Sequence, residues 1–165
     1  MTGGLTEILH RLSACRVDFV IVGGFAAVAH GSATVTQDID ICCDFSEPNL
    51  KKLYKAVQDL HPIHRLSPHK PPLQITPAFC KGLKNLYLDT DMGVLDCLSS
   101  IRGLGHYENV KKHSVVIKGM EDLKFRVLSL DSLIRAKKAM DRPKDAETVI
   151  QLQAIQDRRK EEGGT

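Results

Sequence analysis

Phe19 to Cys42 reads FVIVGGFAAVAHGSATVTQDIDIC. A short apolar strand runs into two glycines, then an alanine-rich helical turn, then two aspartates one residue apart. The segment FVIV is β-branched and aromatic without polar alternation, which predicts a strand buried on both faces. FAAVAHG follows as a short helix stopping at Gly31. From Thr36 the pattern alternates, so the next strand carries Thr36, Asp38, Asp40 and Cys42 on one face. Val35, Ile39, Ile41 and Cys43 fall mostly on the other.

Burying one ionised aspartate in a strand is costly, so two on one face call for a partner. A hard divalent cation supplies one, because magnesium favours carboxylate oxygens and leaves room for substrate phosphates. Alternatively, Asp38 and Asp40 are strand-end residues capped by backbone donors. Gly23 and Gly24 add a second signal. A glycine turn lets the backbone approach an anion, and the helix that follows offers free N–H groups. Glycines for phosphate and aspartates for metal, one short helix apart, point jointly to a bound nucleotide.

Outward from this stretch, Leu5, Ile8, Leu9 and Leu12 recur at helical spacing and predict an amphipathic opening helix that lies on a sheet. Ser46 caps a helix with Pro48 in its first turn and Leu50, Leu53, Val57 and Leu60 as its buried stripe. From His61 to Lys84, five prolines and three histidines break every period, which predicts loop with one short element. His61, His64 and His69 lack a completing carboxylate or cysteine at a known spacing and read as solvated rather than metal-bound. NLYLDTDMGVLDCLSSI predicts two strands around a tight turn at Asp91 to Gly93, with Asp96 inside the better-buried partner. SVVIKGMEDLKFRVLSL predicts another hairpin. A helical pair closes the chain: DSLIRAKKAM, capped by Asp131, then a helix with Pro143 near its first turn and Ala146, Val149, Ile150 and Leu152 partly facing a core. This order of elements predicts an α/β (α+β) fold, a central mixed sheet flanked by helices with a C-terminal helical pair. Residues 1–160 form a single domain and 161–165 a polar tail.

The 165 residues are 42% hydrophobic with a formal net charge of +3, which fits one globular domain and permits a polyanionic partner without demanding one. Five cysteines show no CxxC pair, as in reduced intracellular proteins. The opening residues lack the continuous apolar stretch of a signal peptide, and no run reaches membrane-spanning length, which places the expected location in the cytoplasm and excludes a membrane partner.

The pattern VGG, then DID, then a later strand aspartate resembles the polymerase-beta-type nucleotidyltransferase superfamily. Together with IRGLGHYENV and VLSLDSLIRAKKAMDRPKD it resembles the small nucleotidyltransferase-like proteins related to abortive-infection and toxin–antitoxin nucleotidyltransferases. The resemblance spans roughly Phe19 to Leu152. It implies a nucleotidyltransferase fold and a magnesium-dependent enzyme that moves NMP from an NTP to a hydroxyl acceptor and releases pyrophosphate. Gly23 and Gly24 would meet the triphosphate, with Thr36 beside the nucleotide. Asp38 and Asp40 would hold magnesium, two ions in all, and Asp96 would bind metal or activate the acceptor hydroxyl. Asp89 or Asp91 is the alternative to Asp96, but these lie near an exposed turn.

Lys137 and Asp145 match active-site residues of related toxins, and Arg142 and Lys144 are adjacent cations suited either to phosphate or to surface ion pairs. Relatives often carry an arginine where this chain has Thr34. That departure supports a second reading, a nucleotide-binding or antitoxin-like module that docks a partner protein. The acceptor is RNA, protein or a small molecule. Lys111, Lys112, Lys118, Lys124, Arg158, Arg159 and Lys160 would favour RNA if they share a face, and otherwise are solvated. The exposed face of the last helix is available to a homodimer, though without a heptad pattern.

Overall fold

A computed structural model describes residues 3–119 and 123–163. Helix α1 (Gly3–Ala14) buries Leu5, Ile8, Leu9 and Leu12, the stripe its periodicity predicts. Strand β1 (Phe19–Val22) is buried at every position and passes directly into α2 (Gly23–Ala29), so the two glycines are themselves the first helical residues. Strand β2 (Asp38–Cys43) starts two residues later than the alternation predicts. Thr36 stays outside the ladder because its Oγ1 donates to the Asp38 carbonyl at 3.0 Å, a local bond that competes with strand pairing. Val35, expected in the strand on the face opposite the aspartates, is 84% exposed in the same loop.

Ser46 caps α3 (Glu47–Val57), its side chain accepting from the Asn49 N–H, and Leu50, Leu53 and Val57 are buried. Between His61 and Lys84 the chain forms two short elements rather than one: β3 (Ile63–His64), and α4 (Pro77–Cys80) capped by Thr76. His61 Nδ1 lies 2.6 Å from Asp91 Oδ2, which raises the imidazole pKa, and His64 meets Phe79 edge-on.

The hairpin of β4 (Asn85–Thr90) and β5 (Gly93–Leu98) forms as expected. It is followed by the two-stranded β6 (Ser100–Ile101) and β7 (Gly105–His106), then α5 (Tyr107–Lys112). The pair β8 (Ser114–Lys118) and β9 (Lys124–Leu128) realises the second expected hairpin; the central residues of its connection lie outside the described ones.

Helix α6 (Leu130–Met140) is capped by Ser129, not Asp131, because Ser129 is the residue with extended backbone whose hydroxyl accepts from the Ser132 N–H. A 3-10 turn (Pro143–Asp145) then leads into α7 (Ala146–Gly163), whose helix continues through most of the expected tail. Thr148 and Leu152 carry its buried side; Ala146 is exposed and Ile150 is 67% exposed, so the core-facing set is narrower than its spacing suggests.

Seven strands form one mixed sheet in the order β3-β4-β5-β2-β1-β9-β8, with β2 parallel to β5, β1 parallel to β9 and the other pairs antiparallel. Ile39, Ile41, Leu86, Leu88 and Leu95 are buried on the face away from the aspartates. Helix α1 packs on α3 and β5, α2 on β1, β2 and α6, and α6 on α7. All five cysteines are free thiols. No helix among the described residues is long and apolar enough to cross a membrane.

Candidate active site

Strand register assembles the site. Val22, Asp40, Asp96 and Tyr87 are direct neighbours across β1, β2, β5 and β4, and the Arg65 N–H donates to the Tyr87 carbonyl at 3.2 Å to extend the row. Residues directly paired across strands project to the same face, so Asp40 and Asp96 face the same space. Asp38, two residues earlier on β2, lies opposite Val94 on that face.

A cleft of about 310 Å³ opens over this row and is lined by Gly23, Asp40, Tyr87, Asp96, Lys137 and Arg142, among others. The strand end, the α2 entry and α6 therefore contribute the three walls. Gly23 has a φ of +67°, and a Cβ there would collide with the Asp40 carboxylate. A Cβ on Gly24 would come 3.2 Å from Thr36 Oγ1. The glycines leave bare backbone beside the acids.

Asp40 has its pKa pushed up to about 6, chiefly by burial, then by the negative charges of Asp96 and Asp38, with Lys137 and Arg142 opposing. Asp96 is raised by burial, against the pull of Arg65. Arg65 Nη2 donates to Asp96 Oδ2 at 2.5 Å and Nε to Oδ1 at 3.1 Å, a two-pronged pair, while its guanidinium carbon stands 5.5 Å from the Tyr87 ring centroid. Asp96 thus has both oxygens engaged, and the expected trio Asp38, Asp40 and Asp96 does not converge as a cage. No group of three His, Cys, Asp or Glu side chains among the described residues does. Asp38 and Asp40 still fit a hard cation: they offer oxygens only, and Asp40 carries surplus negative surroundings that a cation would relieve.

Opposite the acids, Asp145 is buried and sorts the cations. Arg142 Nε donates to its Oδ2 at 2.6 Å and Lys137 Nζ to its Oδ1 at 3.4 Å. Burial alone would raise the Asp145 pKa; these two cations lower it overall. Asp145 therefore orients Lys137 and Arg142 from behind rather than lining the cleft itself. Lys144 is exposed and outside the lining. Asp89 and Asp91 also lie outside it, Asp91 being taken by His61.

Arg65 escaped the sequence reading. It sits in a proline-rich stretch with no period, and only the β3–β4 pairing shows that it lies beside Asp96. Thr34, where relatives often have arginine, joins a different network: its Oγ1 lies 2.7 Å from Ser32 Oγ, which donates to Gln151 of α7 at 2.9 Å.

No known family's sequence model matches the chain, and no curated protein matches it in sequence. Solved structures do. The lincosamide antibiotic adenylyltransferase LnuA with lincomycin bound is similar at 17% identity, covering 94% of this chain and 98% of that one, with a TM-score of 0.61. A Thermotoga maritima protein assigned as a nucleotidyltransferase is similar at 21% identity over 89% of this chain and 88% of that one, TM-score 0.56. The factor ANT(2'')-Ia in complex with adenylyl-2''-tobramycin is similar at 16% identity over 93% and 95%, TM-score 0.54. With its mixed sheet, its glycine turn and its facing aspartates, the chain has the fold of the polymerase-beta-type nucleotidyltransferases.

Proposed function

We propose that the chain is a nucleotidyltransferase that transfers NMP from an NTP to a hydroxyl acceptor. The observation that carries this reading is the facing of Asp40 and Asp96 across one register pair, with bare glycine backbone on one side and two buried-anchored cations, Lys137 and Arg142, on the other. The acceptor oxygen bonds to the α-phosphorus, the bond from that phosphorus to the β-phosphate bridging oxygen breaks, and the acceptor proton leaves as pyrophosphate departs.

Such transfer needs positioning and charge stabilisation more than covalent help. Lys137 and Arg142 hold the polyphosphate against the Gly23–Gly24 turn, where backbone can approach. Asp96, oriented by Arg65, faces the acceptor and accepts its proton. Asp38 and Asp40 would hold magnesium, which supplies neutralisation of phosphate charge when bound.

The test uses each α-³²P-labelled NTP with magnesium and a cell extract, beside an Asp38→Ala/Asp40→Ala double variant. Label transferred only by the wild type supports the reading and identifies nucleotide and acceptor class. A folded wild type that binds nucleotide but transfers nothing favours the second reading, a nucleotide-binding or antitoxin-like module that docks a partner. What supports that alternative is Thr34, committed to Ser32 and α7 instead of supplying a cation.

A further inference from the structure

A second cavity is larger than the one over the aspartates. A cleft of about 500 Å³ lies between the proline-rich segment and the outer edge of β4, lined by Pro72, Gln74, Phe79, Leu83, Asn85 and Tyr87, among others. It exists because β3 is so short: β3 pairs only with Leu88 and Asp89, which leaves the Asn85–Leu86 end of β4 to the cleft. Tyr87 lines this cleft and also the one over the aspartates, and its register partner is Asp96. The two cavities therefore meet at the residue beside the proposed acceptor-facing carboxylate.

The lining contains no Lys, Arg, Asp or Glu side chain among the described residues. Its ring surfaces and prolines suit an apolar body, and Gln74 and Asn85 offer uncharged donors and acceptors. The nearest charges along the row, Arg65 and Asp96, neutralise each other. Within this lining a polycation would lose water without meeting a carboxylate, and a polyanion would meet no lysine or arginine, with His64 and Tyr87 as the titratable side chains.

We propose that this cleft binds the acceptor of the transfer reaction and that the acceptor is an uncharged, hydroxyl-bearing small molecule with an apolar body. This rests on the nucleotidyltransferase reading above. It sets the chain apart from a neighbour of the same fold that is seen with an adenylylated aminoglycoside.

The test maps backbone amide shifts of the ¹⁵N-labelled full chain titrated with three probes. These are 4-nitrophenyl β-D-glucopyranoside, which is uncharged, tobramycin, which is cationic, and oligoadenylate, which is anionic. The expected result is saturable shifts at Gln74, Phe79 and Asn85 with the glucoside alone. Gln74→Glu, nearly isosteric and on an exposed position, should then admit tobramycin, tightening it by about tenfold. Phe79→Ala should weaken the glucoside by about tenfold while ATP affinity stays within about twofold.

Saturable shifts at these residues from tobramycin or oligoadenylate in the wild type, or none from the glucoside, overturn the proposal. Its failure is separable from that of the enzyme reading. Label transfer to tobramycin or RNA would sink the uncharged acceptor and keep the transferase, whereas bound ATP with no transfer to any acceptor would sink the transferase whatever the cleft binds.

Discussion

The carboxylate of Asp40 fills the space that a side chain on Gly23 would need. The turn that begins α2 and the acid on the neighbouring strand are therefore one fitted unit, and the glycine is required twice, for its φ of +67° and for its missing Cβ. Gly23→Ala should lower stability by about 1–3 kcal/mol through the left-handed backbone alone, read as a shifted urea midpoint. It should also abolish transfer, since Asp40 must move. Gly24→Ala, where the backbone is not left-handed and the neighbour is the Thr36 hydroxyl, should be milder on both counts.

Asp40 also makes metal-free stability depend on pH. Its carboxyl is raised from 3.8 to about 6 in the folded chain, so the folded state holds the proton more tightly than the unfolded one. Below pH 3.8 both states are protonated and Asp40 contributes no slope. Stability should then fall by about 1–3 kcal/mol as pH rises towards 6 and change little above it. Asp40→Asn should remove that slope and be the more stable protein at neutral pH, although inactive. Urea unfolding in chelator at several pH values checks both expectations.

Arg65 can be separated from mere surface charge by its two contacts. Arg65→Ala leaves Asp96 buried without its partner and should cost about 2–4 kcal/mol, because an unpaired buried carboxylate is the expensive outcome. Arg65→Lys keeps the charge but cannot grip both oxygens or stack on Tyr87, so stability should recover further than turnover. The expected kinetic mark is a reduced kcat with the KM for NTP unchanged, since Arg65 acts through the acceptor-facing acid.

The Asp145 hub predicts a divided outcome. Asp145→Ala strands Lys137, which is 9% exposed, and frees Arg142, so it should destabilise more than Lys137→Met, in which Arg142 still satisfies the acid. In binding the order reverses: Lys137→Met should weaken NTP affinity the more, as nucleotide titration of both variants would show.

The acids and glycines could be read in the sequence because each breaks a local rule: polar residues inside buried strands, and a glycine pair where a helix should have a better start. Asp96 betrayed itself in the same way, as a charge within GVLDCL. Arg65 broke no rule, since a cation in a proline-rich loop is ordinary, and only register identifies its neighbour. The start of β2 and the cap of α6 were misread by two residues each. In both places a hydroxyl, on Thr36 or on Ser129, had a backbone bond available that strand alternation or acid-first capping does not reveal. Lys137 and Asp145 came from the likeness alone; helical spacing gave no reason to join them across the turn at Pro143.

The order in which the chain supplies this site has a consequence during synthesis. Gly23, Asp38 and Asp40 emerge early, Asp96 pairs with β2 across a long intervening segment, and Lys137 and Arg142 come after β9, the strand that pairs with β1. A ribosome-bound or truncated chain ending before Lys137 would present acids without their opposing cations. On the proposed function such a fragment would repel a polyphosphate, so capacity for nucleotide would arrive last, as a mark that both ends of the chain have docked.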